Sequence, residues 1–549
     1  MVFGWGFGRC LNAVDYALES DVAKCSLACI CCSDMATRHT DCQIVSTSPR
    51  VWPRFITMQQ TPLRPLRIAL ISEHASPLAA LGGTDAGGQN VYVAQVAKCM
   101  SRAVHRVDVL TRRNLRHLAA AVDVCRGVRV LNLNAGPAEP VRKEALLNHM
   151  PASGNAALKL IRRSTPYHVV HANFFMSGLV GMKLRNHLHV PLVVTFHALG
   201  LVRREHQGEQ DTFPNARIDI EHRLVQTTQR VVAECPQDKA DLMRLYGASP
   251  SRIATAPCSV DLTQFAPGSR ALARRELGLT DDEFVVLQLG RIVPRKGIDN
   301  VIRAVAVMRQ RAAAALHAGK RVRLLVVGGQ SEQPDELATP EIGALRRLAQ
   351  SLGIANRVTF VGQPQSDALR SFYVASDVFV STPWCEPFGI TPLEAIACAR
   401  PVVVCSAVGS AVGSAVGGIK FSVVDGVTGF HVPPRDPQAL VQRLEELRDN
   451  PALADAMGRA GARRVQERFT WEQVSQSLVE VCGAARAELA RMPTHAPTHA
   501  PTHALMHAPV HAPVRPIEAA DLLTPHKPAV HHVGTPVRTR AAVSEISAC

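Results

Sequence analysis

Short apolar runs recur along the middle of the chain, each closed by glycine, proline or a polar cluster. In the first half they are LRIALIS (66–72), HRVDVLT (105–111), VRVLNLN (128–134), HVVHAN (168–173), PLVVTF (191–196), RVVAEC (230–235) and RIATAP (252–257). A second series begins near Phe284 with FVVLQLG (284–290), then RVRLLVVGG (321–329), RVTFVGQ (357–363), DVFVSTP (377–383), PVVVC (401–405) and TGFHVPP (428–434). Runs of this length without polar alternation are strands buried on both faces of a parallel sheet. Between them lie segments of helical period: VYVAQVAKCMSRA (91–103), 338–352, 366–375, and three polar-faced helices from about 436 to 491. Strand and helix in alternation predict an α/β fold of two tandem doubly wound, Rossmann-like units. The boundaries expected are 63–270 and 271–491.

The flanks break the pattern. Residues 1–57 show no period and no basic start followed by an apolar core, so they do not make a signal peptide. Six of the fifteen cysteines fall in the first 42 residues, in spacings that match no standard zinc pattern. We expect 1–62 to be a Cys-rich extension, disordered or a non-native start, with Met58 as the true beginning. Residues 492–549 open with PTHAPTHAPTHALMHAPVHAPV, whose regular prolines rule out a helix and favour an extended, disordered tail. Its histidines read as a repeat expansion rather than a metal site.

Composition narrows the class. No apolar run approaches the length of a membrane span. The scattered cysteines of the core fit reduced thiols, so a cytoplasmic location is expected. The net charge of +15 sits almost wholly in the foldable part and is spread along it. That spread gives no nucleic-acid module; diphosphate groups or an anionic membrane face account for it as well.

Candidate chemistry gathers where strands end. STPWCEPFGITPLEAIA (381–397) reads as strand, loop and helix start, with Glu386 and Glu394 separated by seven residues. Thr391 suits an N-cap and Pro392 the first helical position. Gly389 and Ile390 would then offer backbone N–H groups to an anion, with Trp384, Pro387 and Phe388 as a pocket wall. The competing reading makes Glu394 part of a Thr391–Glu394 capping box. GRIVPRKG places Arg291 and Lys296 where they suit phosphate oxygens, or merely structural ion pairs. The loop LGGTDAGGQN (81–90) is not the GxGxxG fingerprint; its glycines allow close backbone approach to a bound group. His171, Asn173, His197 and Glu234 end neighbouring strands, and Arg217 and Glu221 either pair along a helix or face the cleft.

EPFGITPLEA, with GGTDAGGQNVYV, HANFFMSG, TFHALG, PCSVDLTQF, GRIVPRKG and VVDGVTGFHVPP, resembles the retaining glycosyltransferases of family 4 over about residues 66–490. The first half looks most like the branch with sucrose-phosphate synthases and the mycothiol-pathway glycosyltransferase. The resemblance implies the GT-B architecture, in which the two Rossmann-like units face a cleft. It also implies retaining transfer from a nucleotide-diphosphate sugar, UDP-sugar foremost, to an acceptor hydroxyl, with no required metal or cofactor. Arg291 and Lys296 would hold the donor diphosphate, Glu394 the ribose hydroxyls, and Glu386 and His197 the transferred sugar. Gly83, Gly88, Phe388, Gly389, Ile390 and Thr391 would complete the donor site; Asn90, Lys143, Asn173 and Arg217 would lie on the acceptor side. The acceptor is a carbohydrate, a sugar phosphate as in sucrose-phosphate synthases, or a lipid-linked glycan met by peripheral contact with the inner membrane face. The chain departs from the family at Ser259, usually glycine, and at the SAVG repeat of 406–417, which adds about eight residues beside the donor site. A donor-binding pseudoenzyme disabled by that insertion is the rival reading.

Overall fold

The computed structural model describes residues 65–491 except 80–86, 104, 163–165, 209–210, 315–319, 384–385, 387 and 406–416. The 1–62 extension, the 492–549 tail, Gly83, Trp384, Pro387 and most of the SAVG repeat lie outside the described residues.

Among the described residues, fourteen strands form two sheets. The first contains β1 (Arg67–Ile71), β2 (Arg106–Arg112), β3 (Ala121–Cys125), β4 (Val128–Leu133), β5 (Val169–Asn173), β6 (Leu192–Thr195), β7 (Arg230–Ala233) and β8 (Ile253–Thr255) in the order β3-β4-β2-β1-β5-β6-β7-β8. The second contains β9 (Glu283–Leu289), β10 (Arg321–Val327), β11 (Val358–Gly362), β12 (Val378–Ser381), β13 (Val402–Cys405) and β14 (Gly429–Val432) in the order β11-β10-β9-β12-β13-β14. All pairings are parallel except β3 with β4. β3 was not foreseen. Its residues AVDVC alternate between exposed and half-buried, as expected of an edge strand wet on one face, and so form no apolar run.

Alternate residues of the central strands enter different cores. Ile68 and Leu70 join one cluster while Ala69 and Ile71 join another; in the second sheet Val285 and Leu287 part from Phe284 and Val286 in the same way. Each sheet is therefore covered on both faces, which is why its strands read as unbroken apolar runs. One cluster is common to both sheets.

The last helix, Trp471–Arg491, contributes to that shared core by crossing back. It packs on the helix Gly88–Arg102, with the Trp471 ring edge-on to Tyr92 at 5.8 Å, and Glu488 pairs with Arg230 at the start of β7. By packing it belongs with the first sheet, although the sequence reading carries the second unit through residue 491. No described helix is long and apolar enough to cross a membrane.

A buried carboxylate fixes where the second half begins. Asp377 accepts hydrogen bonds from Arg270 (2.8 Å), Arg274 (2.6 Å) and the Val285 amide (2.7 Å), and Arg274 is 2% exposed. Asp377→Ala leaves that guanidinium buried with only the exposed Asp281 carboxylate, 3.7 Å away, as counter-ion, a loss of roughly 3 kcal/mol. Urea unfolding of the purified variant checks this; an unchanged midpoint would mean that Arg274 relaxes into water.

Candidate active site

In each sheet the strand order reverses beside its first strand, between β1 and β5 and between β9 and β12. Loops leaving the strands there diverge and open a crevice at the carboxyl ends. The two crevices meet in a cleft of about 780 Å³, lined from both halves.

On the second-sheet side, the loop after β9 is shaped by glycine. Gly290 and Gly328 both have φ near +141°, and a Cβ on Gly328 would stand 2.0 Å from the Gly290 carbonyl oxygen. Gly297, at φ +65°, lies against the Thr382 carbonyl at the end of β12. The loop is thereby held on the next strand, and its single 3₁₀ turn, Pro294–Lys296, carries Lys296 to the Glu386 carboxylate. Arg295 lies 3.6 Å from the same oxygen. Burial pushes the Glu386 carboxyl up, but Lys296, Arg295 and Arg291 overcome it and hold the group at about 2. Burial lowers the Lys296 ammonium, with Arg295 and Arg291 adding to the effect and Glu386 opposing it. Glu386 thus stays an anion among cations, and the structural ion pair weighed for Lys296 is present.

The helix after β12 starts two residues earlier than expected. It spans Ile390–Ala397 with Gly389 as N-cap in the left-handed region (φ +85°), and no side chain caps it. Thr391 and Pro392 are its second and third residues rather than cap and first; proline is tolerated because first-turn amides have no partner inside the helix. Nor does Glu394 close a capping box. Its Oε2 accepts the Tyr373 hydroxyl at 2.6 Å, and burial raises its carboxyl to about 7, with the tyrosine hydrogen bond opposing. Phe388 is buried against Gly418, where a Cβ would meet its ring at 2.4 Å.

Across the cleft the helix Gly88–Arg102 points its own N-terminus at this helix. A Cβ on Gly88 would lie 3.1 Å from Ile390, and one on Gly87 would lie 3.9 Å from Arg291 Nε. Asn90 pins the turn, accepting the Gly87 amide at 2.9 Å and donating to the Ser76 carbonyl at 2.9 Å. Two helix N-termini and three cations therefore converge on one space, an electrostatic environment made for a diphosphate.

The deeper wall comes from the first sheet. His197, in the left-handed region at φ +57°, has both ring nitrogens engaged: Nδ1 with Glu234 at 3.0 Å and Nε2 with Asn173 at 2.9 Å. The Tyr92 ring meets it edge-on at 4.7 Å. Asn173 is fully buried, does not line the cleft, and holds His197 from behind. Its amide nitrogen faces back to the Ile71 carbonyl at 3.3 Å. Arg217 does both things weighed for it. Nε pairs with Glu221 at 2.7 Å, beneath the rings of Phe174, Phe175 and Phe213, while Nη1 meets no partner among the described residues at the cleft wall. Lys143 lines the same end.

Sequence reasoning passed over several members. Arg295 was readable as the second of the three basic positions of the RIVPRKG loop. Tyr373 was not, since it sits on an apolar helix face. Two further acids sit on the first-sheet side. Glu73, held by Ser177, is raised by burial to about 7, and Asp238 is raised to about 8 by burial and then by Glu234. Among the described residues no group of three or more His, Cys, Asp or Glu side chains could hold a metal.

Because Glu73 binds its proton more tightly folded than unfolded, its contribution favours the fold at pH below about 4.5 and is lost as pH rises through about 7. Glu73→Gln should accordingly raise stability at pH 8 relative to pH 5, by at most roughly 3 kcal/mol. Unfolding curves at the two pH values test it, and an identical pH slope in both proteins would contradict the buried-acid account.

Two family models match the chain: "Glycosyltransferase Family 4" over residues 86–264 and "Glycosyl transferases group 1" over residues 269–464. The D-inositol 3-phosphate glycosyltransferase of Rhodococcus opacus (strain B4) is 38% identical over 426 residues, covering 76% of this chain and 91% of that protein. The sucrose-phosphate synthase structure from Thermosynechococcus elongatus superposes with a TM-score of 0.69 at 32% identity, over 77% of this chain and 100% of that one. Anabaena HepE in complex with UDP and glucose shares the fold at a TM-score of 0.58 and 19% identity, over 76% and 100% of the two chains. With its facing sheets and the cleft between them, this chain belongs to glycosyltransferase family 4 and is a transferase enzyme of the GT-B fold.

Proposed function

We propose that the cleft transfers a sugar from a UDP-sugar, with retention at the anomeric carbon, to a hydroxyl of a phosphorylated polyol or sugar. The carrying observation is the convergence of the two helix N-termini, at Gly87–Gly88 and Gly389–Ile390, with Arg291, Arg295 and Lys296. Glycosyl transfer leaves a diphosphate that gains negative charge as the anomeric bond breaks, and preorganised amides and cations stabilise that charge where it develops. In this reading Arg291 and Lys296 bind the diphosphate, and Gly83 and Gly88 belong to the loop that closes over it. Glu394 accepts the ribose hydroxyls. Phe388 supports the turn that carries Gly389, Ile390 and Thr391.

Glu386, kept ionised, accepts hydroxyls of the transferred sugar and releases Lys296 toward the phosphates when the donor enters. His197 borders the sugar, oriented by Glu234 and Asn173. The acceptor enters from the first-sheet side, past Asn90. Its phosphate meets Lys143 and Arg217, whose Nη1 awaits an acceptor. The choice of a phosphorylated acceptor rests on those two cations and on the relatives named for D-inositol 3-phosphate and sucrose phosphate. Oxygen attack from the face that the diphosphate leaves would account for retention, and closure of the halves would exclude water. No metal or other cofactor is assigned a part, and the reading places the enzyme in the cytoplasm.

Calorimetric titration of UDP, beside GDP and ADP, tests the donor site. UDP should bind, and Lys296→Ala should weaken it while lowering kcat/KM on the order of 10²-fold. Binding of none of the three would defeat the proposal.

Glu394 adds a pH signature. If its carboxylate accepts the ribose hydroxyls, UDP affinity is level above about pH 8. It then falls toward about tenfold per pH unit as Glu394 protonates below about 7. Glu394→Gln should bind more weakly and lose that slope; a variant keeping the wild-type slope would place the titration elsewhere.

A further inference from the structure

A second hollow, of about 1390 Å³, opens at the opposite end of the first sheet. It is formed where β1, β2 and β4 begin and where the helix Gly88–Arg102 ends. Its walls carry Arg67, Lys98, Arg102, Arg106, Arg126 and Arg129 against two carboxylates, Asp108 and Asp123. The six cations are scattered through 63 positions of sequence and form no basic run; only the fold brings them together.

The wall is organised. Asp108, 4% exposed, accepts from Arg67 Nη2 at 2.8 Å, from Arg129 Nε at 2.8 Å and Nη2 at 3.0 Å, and from the Tyr167 hydroxyl at 2.6 Å. One buried carboxylate thus fixes two guanidinium groups, and its oxygens are consumed in doing so. Arg102 is turned outward to Glu472. The side chains of Lys98, Arg106 and Arg126 have no hydrogen-bond or ion-pair partner among the described residues. Complementing the helix C-terminus would explain Lys98 and Arg102. It does not explain Arg106, Arg126 and Arg129, which stand on strands and a turn.

We propose that this hollow is a second binding site, separate from the donor cleft, for a multiply charged phosphorylated anion. Fixed guanidinium groups pair with phosphate oxygens in two-point contacts, and the partnerless cations supply charge at little desolvation cost. The phosphate belongs either to a soluble ligand or to a lipid headgroup.

The test uses the full chain in a Lys296→Ala background, so that phosphate binding in the donor cleft is suppressed. Tripolyphosphate is titrated calorimetrically with and without Lys98→Gln, Arg106→Gln and Arg126→Gln together, and with Arg126→Gln alone, an exposed turn position that should not perturb folding. Both series are repeated by co-sedimentation with phosphatidylglycerol and phosphatidylcholine vesicles. The expected result is a loss of tenfold or more in tripolyphosphate affinity for the triple variant and a smaller loss for the single one. If phosphatidylglycerol pelleting falls in parallel, the source is a headgroup; if vesicles never bind, it is a soluble phosphate. Equal tripolyphosphate affinity and equal vesicle binding in all variants would overturn the proposal. The same triple change made with Lys296 intact should leave UDP binding unaltered, so failure of this site and failure of the donor-site reading are told apart.

Discussion

A carboxylate surrounded by cations holds the donor side of this enzyme together. Glu386 follows one strand end and Lys296 and Arg295 follow another, and the carboxylate pairs with both cations. Burying the acid alone would neutralise it, and burying the lysine alone would do likewise. Together they remain ionised, and their attraction fixes the spacing of the loops after β9 and β12. The glycines at 297 and 328 permit that approach, since a side chain at either would strike backbone, and Gly290 supplies a backbone conformation, φ +141°, that other residues rarely adopt. The site is thus poised electrically before a ligand arrives. A diphosphate exchanges one set of anionic oxygens for another without requiring the cations to be gathered anew.

The first-sheet wall works by different means. Its polar groups are tied in a short relay from Ile71 through Asn173 and His197 to Glu234, and Arg217 is clamped by Glu221 under three phenyl rings. Each link sits at the carboxyl end of a strand, where the main chain is already fixed by the sheet. Rigidity there comes from backbone register, whereas on the donor side it comes from charge balance.

Much of the architecture was legible in the sequence, because strands buried on both faces carry no polar interruption and announce themselves as apolar runs. The antiparallel edge strand β3 escaped for the converse reason: half its residues face water. Glu386, Lys296 and Glu394 stood out through motif and loop position, and the structure brings all three to one cleft. What they touch was not legible. The tyrosine against Glu394 comes from a helix twenty-one residues upstream, and Thr391 looked like a cap until the left-handed Gly389 took that place. Local pattern locates strand ends well, but partners across the sheet depend on a topology that no local window contains. The basic hollow is the extreme case, since every one of its cations looks ordinary in the sequence.

The returning helix Trp471–Arg491 has a consequence for how the protein is made. It covers Tyr92, Cys99 and Arg102, residues placed early in the chain, with Trp471 and Glu472, which leave the ribosome much later. The first sheet can pair its strands soon after they emerge, but one apolar helix face stays bare until residues 471–491 have been synthesised. Such distant contacts are slow to form and leave sticky surface exposed meanwhile. Completion of the first half therefore waits on the second, and a chain that stops short of residue 471 carries a formed sheet with an open seam.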